Sequence, residues 1–300
     1  YKSSIKSGLF WYYFEGSHFK AEVTEEKLPP CAALYNKNNK GLLFRVMYYK
    51  KRISFEVYHA LSDGAGALQF FKTLIFHYVI MKNEYRFKDR VPVLDIDASN
   101  TQKMDDSFQK YYSGKQSGVK KKGIKAFKLR GPKVPEYRVS VIEGILPVDC
   151  TLAKAREYKA SLTVFLASIL MMAINEEIPL RLKKRPVVLS IPVNLRNYYN
   201  SQTARNFFGV INVGYDFSAG SSELQDVVDS LKNSFKENLR HEHLENRINM
   251  LSSLEHNYVL RAVPLFIKDV ALRIANSIAD KSYTSTLSNV GVVNMPDEVK

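Results

Sequence analysis

One stretch, residues 55–67, constrains the fold of this chain more than any other. It is preceded by two runs of strand-forming residues, 41–49 and 52–58, which two lysines separate, and this pattern predicts a β-hairpin. Apolar residues then recur at helical spacing over 67–80, which predicts a helix. The stretch is therefore expected to be a tight turn that joins the end of a buried strand to the start of a helix.

This turn contains a histidine and an aspartate. His59 lies where the strand is expected to stop, and Asp63 lies where the helix is expected to start. An aspartate in that position caps the helix and complements its dipole. Gly64 and Gly66 relax the turn and let another chain or a ligand come close. His59 is a candidate general base, and a hydrogen-bonded core histidine is the alternative.

Composition limits the class of protein. A chain of 300 residues that is 45% hydrophobic can bury a large core, in one large domain or two lobes. No apolar run approaches about 20 residues, so no transmembrane segment is expected. Cys31 and Cys150 do not make a disulfide framework, which favours a reducing compartment and a cytoplasmic location. The chain opens on Tyr1 rather than Met, so we expect a segment to be missing before it.

The net charge of +14 indicates an anionic partner. This partner can be a nucleic acid, an anionic membrane surface or a phosphorylated cofactor. Residues 110–133 carry nine Lys or Arg and no acidic residue. No nucleic-acid-binding motif accompanies this run, so nucleic acid is not expected as a partner. The cluster Lys120, Lys121 and Lys122 is a candidate for steering the phosphates of a cofactor, with a solvated loop as the alternative.

Histidines elsewhere in the chain do not form a metal site. His241 and His243 do not share a helix face, and neither a cysteine nor a pair of carboxylates completes a set with His256. We therefore expect these three histidines at the surface and no bound metal.

The rest of the chain alternates predicted strands with predicted helices, which favours an α/β fold. Residues 83–140 are polar, basic and irregular, and we interpret them as a long connection. The predicted strands are 8–15 and 19–25 around a turn at 16–17, then 139–146, 186–192, 207–217 and 284–293. The predicted helices are 147–159, 161–174, 221–243 and 265–279, and the second of these is apolar nearly all round and so should be buried.

The segment His59-Ala-Leu-Ser-Asp63-Gly64 resembles the HxxxDG signature of the coenzyme-A-dependent acyltransferases. That superfamily includes chloramphenicol acetyltransferase, peptide-synthetase condensation domains, wax ester synthases and alcohol acetyltransferases. Residues 187–196 and 206–213 are similar to its strand ending in P-x-x-x-R and the Gly-Phe-x-Asn strand that follows. Residues 284–291 resemble the S-N-x-x-G strand of wax ester synthases and alcohol acetyltransferases. The resemblance covers about four-fifths of the chain.

The resemblance implies a two-lobed chloramphenicol acetyltransferase-like fold, with mixed sheets flanked by helices. The N-terminal lobe is expected to span 1–138, with the motif and a basic crossover loop, and the C-terminal lobe 139–300. Within the motif, His59 is the expected catalytic base, and Asp63 is expected to be structural and paired with Arg196. The resemblance also makes Ser288 and Asn289 candidates for binding the substrate or the oxyanion.

The implied activity is transfer of an acyl group, acetyl in the first instance, from acyl-coenzyme A to a small alcohol or amine in a ternary complex. Acyl-coenzyme A is then a co-substrate, and no permanently bound cofactor is expected. A non-catalytic condensation-like scaffold or a carrier-protein-docking domain is the alternative. The sequence departs from the family pattern in two ways. Tyr58 stands where the family often has a second His, and no D-F-G-W-type motif follows the last strand. The chain stops at Lys300, so we expect it to be truncated at its carboxy-terminal end. The implied activity is therefore expected of the longer parent protein.

Overall fold

The computed structural model describes residues 3–16, 18–34, 41–88, 92–94, 100–115, 125–132 and 139–299. Along these residues, five strands are followed by six helices, two strands, four helices and a last short strand. The strands are β1 (Ser3–Ser7), β2 (Tyr12–Gly16), β3 (Val23–Glu25), β4 (Phe44–Tyr49), β5 (Arg52–Val57), β6 (Val187–Asn194), β7 (Phe208–Tyr215) and β8 (Ser285–Thr286). The helices are α1 (Gly64–Lys82), α2 (Glu84–Phe87), α3 (Asn100–Met104), α4 (Ser107–Lys110), α5 (Val148–Glu157), α6 (Leu162–Glu177), α7 (Leu224–Asn238), α8 (His241–His256), α9 (Tyr258–Ala262) and α10 (Leu265–Asp280).

The strands described by the structure form three small sheets. β1 and β2 make an antiparallel hairpin. β4 is central in the second sheet, parallel to β3 and antiparallel to β5. β6 is central in the third sheet, antiparallel to β7 and parallel to β8. The chain is therefore a mixed α/β protein.

The hairpin that precedes the motif turn is confirmed. β4 and β5 pair as far as Tyr49 and Arg52, which leaves a two-residue loop of Lys50 and Lys51. Lys50 adopts a φ of 52°, as the first position of such short hairpin loops often requires. Helix α1 then lies against β5, where the ring of Phe55 stacks on Phe71 at 5.7 Å between centroids. The predicted strand, turn and helix are all present.

The largest core lies between the third sheet and helices α6 and α7. The first five residues of β6 are buried, as expected for a strand with no polar face. Helix α6 is capped by the side chain of Ser161, which accepts from the Val164 N–H, and it buries Met171 completely. Helix α7 contributes Val227 and Leu231, both fully buried. The predicted buried helix and the two strands beside it are confirmed.

The predicted hairpin around residues 16–17 is wrong, and Ser17 lies outside the described residues. The chain instead turns back between Gly8 and Trp11, where the Gly8 N–H donates to the Trp11 carbonyl at 2.8 Å. A Cβ atom on Gly8 would lie 3.0 Å from that oxygen, so glycine permits the close approach. The later strand, β3, pairs with β4, which the local pattern of residues does not reveal.

Two other predicted strands are corrected. Residues 139–147 form no strand, and Ile142 and Ile145 are almost fully exposed, because no described strand pairs with the segment despite its strand-like alternation. The predicted strand 284–293 is reduced to β8, since only Leu189 and Ser190 of β6 pair with it. A period-two pattern forms a strand only where a partner edge is available.

The predicted helix 221–243 is divided into α7 and α8. Helix α7 ends at Asn238. The next residue, Leu239, donates its N–H to the Phe235 carbonyl while its side chain packs against the core. A new helix begins after Arg240, whose carbonyl accepts from His243. No proline or glycine marks this break in the sequence, so packing decides it. Helices α8 and α9 as separate elements were not predicted.

Within the described ranges, no single helix is long and apolar enough to cross a bilayer. Among these residues, only α5 and α6 taken together have the necessary length and apolar composition, and the chain bends by 81° between them. The same residues contain no group of three His, Cys, Asp or Glu side chains placed to hold a metal ion. His243 contacts Glu237, and His256 stacks on Tyr112. Cys31 and Cys150 are exposed free thiols.

Candidate active site

The motif turn is closed by backbone hydrogen bonds on both sides of His59. The Tyr58 N–H donates to the Leu43 carbonyl at 2.7 Å, which continues the edge of the sheet beyond β5. The Leu61 N–H then donates to the Tyr58 carbonyl at 2.8 Å, which reverses the chain. His59 therefore lies at the start of a tight turn, as the sequence predicted.

Asp63 caps helix α1 and is almost completely buried. Its backbone is extended, with φ −84° and ψ 177°, and its Oδ1 accepts from the Gly66 N–H at 3.0 Å. Its Oδ2 accepts from the Phe207 N–H at 2.8 Å. Both oxygens also accept from the guanidinium of Arg196, at 2.8 and 3.2 Å. Four donors therefore surround a carboxylate whose side chain is only 5% exposed.

Arg196 uses its planar fork to hold several segments together. Nη1 donates to Asp63 and to the Asn194 side-chain oxygen, the latter at 3.1 Å. Nη2 donates to Asp63 and, at 2.6 Å, to the Arg205 carbonyl. Nε donates to the Thr203 carbonyl at 2.8 Å. The loop between β6 and β7 is wrapped around one buried cation, a geometry that a guanidinium provides and an ammonium does not.

The predicted pair of Asp63 and Arg196 is formed in the structure, with bidentate contacts between two largely buried groups. Because four donors engage its oxygens, the Asp63 side chain is fixed in a structural position. The removal of either partner would leave the other as an uncompensated buried charge, which is much more costly than the pair itself. The pair fixes the position of the motif turn relative to β7.

The two glycines of the motif have different surroundings. A Cβ atom on Gly66 would lie 2.4 Å from both the Ala204 carbonyl oxygen and the Ser62 hydroxyl, so no larger residue fits without a shift. Gly64 has nothing within 4 Å of the corresponding position. The segment around Ala204, from the same chain, therefore makes a close approach at Gly66, and the expected approach of another chain or a ligand stays a prediction. Gly64 does not need to be small for packing.

The His59 side chain is exposed beside the start of β7. Its ring lies 5.3 Å from the ring of Phe208, between centroids. In the part of the chain that the structure describes, nothing hydrogen-bonds to either imidazole nitrogen, so both are open to a substrate. The backbone of His59 is held independently, because Asn206 Nδ2 donates to its carbonyl at 2.8 Å. The sequence did not identify Asn206 and Phe208 as site residues, although Asn206 lies in the loop of Arg196 and Phe208 begins β7 directly after it.

Asn206 has a further feature that distinguishes it from a simple clamp. Its Oδ1 is buried and has no hydrogen-bond partner among the described residues. Buried polar atoms normally have a partner, so this one can accept from a water molecule or a substrate donor. Asn206 thus presents an acceptor beside the His59 turn.

A cavity of about 230 Å³ lies beside the motif turn. Leu61, from the turn itself, forms part of its wall together with the rings of Phe44, Phe55 and Phe70. Ala204, from the loop that Arg196 organises, closes another side. His59 is not part of the lining. The cavity therefore lies next to the turn, on the side of α1 and the second sheet.

The other predicted site residues are not brought to His59 by any contact in the described structure. Ser288 and Asn289 follow β8 and are exposed, and Asn289 Nδ2 donates to the Thr163 hydroxyl at 2.9 Å at the start of α6. Their role as donors to the substrate stays a prediction. The cluster 120–122, predicted to steer phosphates, lies outside the described residues.

A buried tyrosine lies beside the Arg196 loop. Burial raises the pKa of Tyr199, and the nearby charge of Glu245 raises it further. Its hydroxyl is buried with no hydrogen-bond partner among the described residues, and its ring packs against Phe207 and Tyr111. Tyr199 therefore stays neutral at ordinary pH and belongs to the packing beneath the site.

No family model matches this sequence, and no curated protein matches it.

Several solved structures are similar to the structure of this chain. F. sporotrichioides TRI101, solved with coenzyme A and T-2, aligns over 96% of this chain and 70% of its own length, with a TM-score of 0.50 and 9% identity. Polyketide synthase associated protein 5 from Mycobacterium tuberculosis aligns over 82% of this chain and 63% of its own, with a TM-score of 0.48 and 11% identity.

A third similar structure is the first condensation domain of the calcium-dependent antibiotic synthetase, with a TM-score of 0.38 and 14% identity over 67% of this chain. This chain spans 45% of the length of that domain's chain and 63% of the length of the mycobacterial protein, which is less than two thirds in both cases. The likeness to TRI101 shows the fold: the predicted fold class, an α/β chloramphenicol acetyltransferase-like fold, is confirmed.

Proposed function

We propose that this protein transfers an acyl group, acetyl in the simplest case, from acyl-coenzyme A to an alcohol or amine acceptor, with His59 as the general base. The observation that carries the proposal is the arrangement of the motif turn. An imidazole with two open nitrogens is held in a turn that the buried Asp63–Arg196 pair fixes in place. A positioned base of this kind is what acyl transfer to a hydroxyl requires.

The proposed reaction needs no covalent enzyme intermediate. Neutral His59 accepts the proton of the acceptor hydroxyl or amine as the acceptor oxygen or nitrogen attacks the thioester carbonyl. The carbon–sulfur bond then breaks, and the imidazolium returns its proton to the leaving thiolate, so that free coenzyme A and the ester or amide are released. Ser288 and Asn289 are the proposed donors to the oxyanion that forms in between.

Coenzyme A is the proposed carrier of the acyl group, as a co-substrate and not a resident cofactor. The net charge of +14 suits a phosphorylated donor, and Lys120, Lys121 and Lys122 are the proposed phosphate-steering residues. The chain shares its fold with TRI101, which was solved with coenzyme A. The proposed location is the cytoplasm, since both cysteines are free. The proposed lobes remain 1–138 and 139–300.

The test is an assay of thiol release by the complete protein. The protein is incubated with acetyl-coenzyme A and a panel of alcohols and amines, and free thiol is followed with time. The proposal predicts release that depends on the presence of an acceptor. A folded protein that releases thiol at the same rate with and without every acceptor would contradict it and favour a non-catalytic scaffold or carrier-docking domain.

A further inference from the structure

Three segments that are distant in sequence meet at the beginning of β6. The Phe127 N–H donates to the Pro186 carbonyl at 2.9 Å, and the Ala126 N–H donates to the Lys281 carbonyl at 3.1 Å. The ring of Phe127 is buried in the core beside the third sheet. These contacts hold segments 125–130, 180–186 and 280–283 side by side.

The three segments together form a surface that we call the basic patch. Its Lys and Arg residues are Lys125, Lys128, Arg130, Arg181, Lys183, Lys184, Arg185 and Lys281. Asp280 is the acidic residue of these segments, and it pairs with Lys128 at 3.4 Å. Within the described part of the chain, the other cations of the patch form no ion pair. Glu176 and Glu177, at the end of α6, precede the patch in sequence and offset part of its charge.

Apolar side chains lie between these cations. Leu180 is 86% exposed, Leu129 is 52% exposed and Leu182 is 45% exposed. Each of the three leucines is next to a Lys or Arg in the sequence. A soluble polyanion would contact the cations and leave the leucines in water, whereas a bilayer surface with anionic headgroups receives both kinds of side chain.

The basic patch lies at the end of the third sheet that is opposite the motif turn. β6 begins at Val187, directly after the patch, and ends at Asn194, whose side chain contacts Arg196. At about 3.3 Å per residue, the two ends of β6 are roughly 23 Å apart. A surface that covers the patch therefore leaves the His59 turn uncovered.

We propose that the basic patch binds the anionic surface of a lipid bilayer. The lysines and arginines contact the headgroup phosphates, and Leu180 inserts between the headgroups. This binding goes beyond the proposed acyl transfer and does not depend on it. Charge and a few apolar side chains hold the protein at the membrane surface, and no spanning helix is needed.

Sedimentation with lipid vesicles tests the role of charge. The protein is expected to sediment with vesicles that contain phosphatidylglycerol and not with vesicles of phosphatidylcholine alone, and added salt should lower the bound fraction. Lys184→Gln combined with Lys281→Gln removes one cation from each of two segments and should weaken binding roughly 25-fold, about fivefold per cation.

The matched control is Lys50→Gln combined with Lys51→Gln, which removes the same charge from the exposed loop between β4 and β5. This variant should bind anionic vesicles almost as tightly as the wild type, and both variants should keep the wild-type melting temperature. The absence of binding to anionic vesicles, or equal losses in the two variants, would overturn the proposal whether or not acyl transfer is observed.

A leucine variant tests the choice of a bilayer over a soluble polyanion. Leu180→Ser should weaken binding to anionic vesicles about tenfold or more, because an apolar side chain no longer enters the headgroup region. The salt concentration that elutes the protein from a heparin column should not change, since the charge is the same. Val93→Ser, at a side chain that is also 86% exposed, is the control and should leave vesicle binding unchanged. If Leu180→Ser binds vesicles as tightly as the wild type, the patch recognises charge alone and the proposal is wrong.

Discussion

The most informative residue in the molecule is Asp63, because one carboxylate caps a helix, pairs with Arg196 and accepts from the Phe207 N–H just before β7. Asp63→Asn removes the charge and leaves the guanidinium buried without its anion. We expect a loss of roughly 3–5 kcal/mol in the free energy of unfolding, measured by urea denaturation. Asp229→Asn, at an exposed pair with Lys232, is the matched control and should change the free energy of unfolding far less, because solvent screens that pair. Equal stability of the two variants would show that the buried pair does not hold the fold.

The two motif glycines give a second prediction at this scale. Gly66→Ala places a methyl group 2.4 Å from the Ala204 carbonyl and should destabilise the protein by about 1–3 kcal/mol or more, through a forced backbone shift. Gly64→Ala meets nothing within 4 Å and should be neutral or slightly stabilising, since alanine is the better helix former. Melting temperatures of the two variants provide the comparison. A Gly66→Ala protein as stable as Gly64→Ala would contradict the close packing at this turn.

At the scale of single residues, the sequence identified His59, Asp63 and Arg196 because their spacing resembles a known motif. It missed Asn206 and Phe208, although both contact His59. Their side chains belong to the site only because the loop between β6 and β7 folds around Arg196. Nothing in the local sequence carries that information.

Among the elements, helix α6 shows what the sequence predicts well. Its apolar residues are spread nearly all round the helix, and the structure buries most of them between the third sheet and its neighbours, with Ile169 left exposed. Met171→Ala should lower the free energy of unfolding by about 2–5 kcal/mol, because it leaves a cavity in close-packed surroundings. Ile169→Ala, at a side chain 41% exposed on the same helix, should cost clearly less. Similar losses for the two changes would contradict the buried face assigned to α6.

Two of the wrongly predicted strands depended on partners that are distant in sequence. Residues 139–146 alternate like a strand but pair with no described strand, and β3 pairs with β4 about twenty residues later. The hairpin of β1 and β2 is local, and it was missed because the strand-like run 8–15 hides the turn between Gly8 and Trp11. Helices and short hairpins are local, and for that reason β4, β5, α1 and α6 were predicted close to their observed bounds.

For the molecule as a whole, the three motif segments predicted the fold class, and the similarity to TRI101 confirms it. The site combines parts that are distant in sequence, since the Asp63–Arg196 pair joins the predicted N-terminal lobe to the predicted C-terminal lobe. The cavity also draws Ala204 from the second of these regions to the walls formed by the first. The cavity and its apolar walls were not predicted, because they depend on how the strands, α1 and the Arg196 loop meet in space.

The central claim is that His59 performs the chemistry while the buried pair performs the positioning. The measurement that tests it most directly is the rate of acceptor-dependent thiol release by the complete protein and by its His59→Ala variant. We predict a loss on the order of 10²–10⁴-fold at an almost unchanged melting temperature, because an exposed side chain is removed without disturbing packing. A His59→Ala protein that keeps most of the turnover would contradict the account.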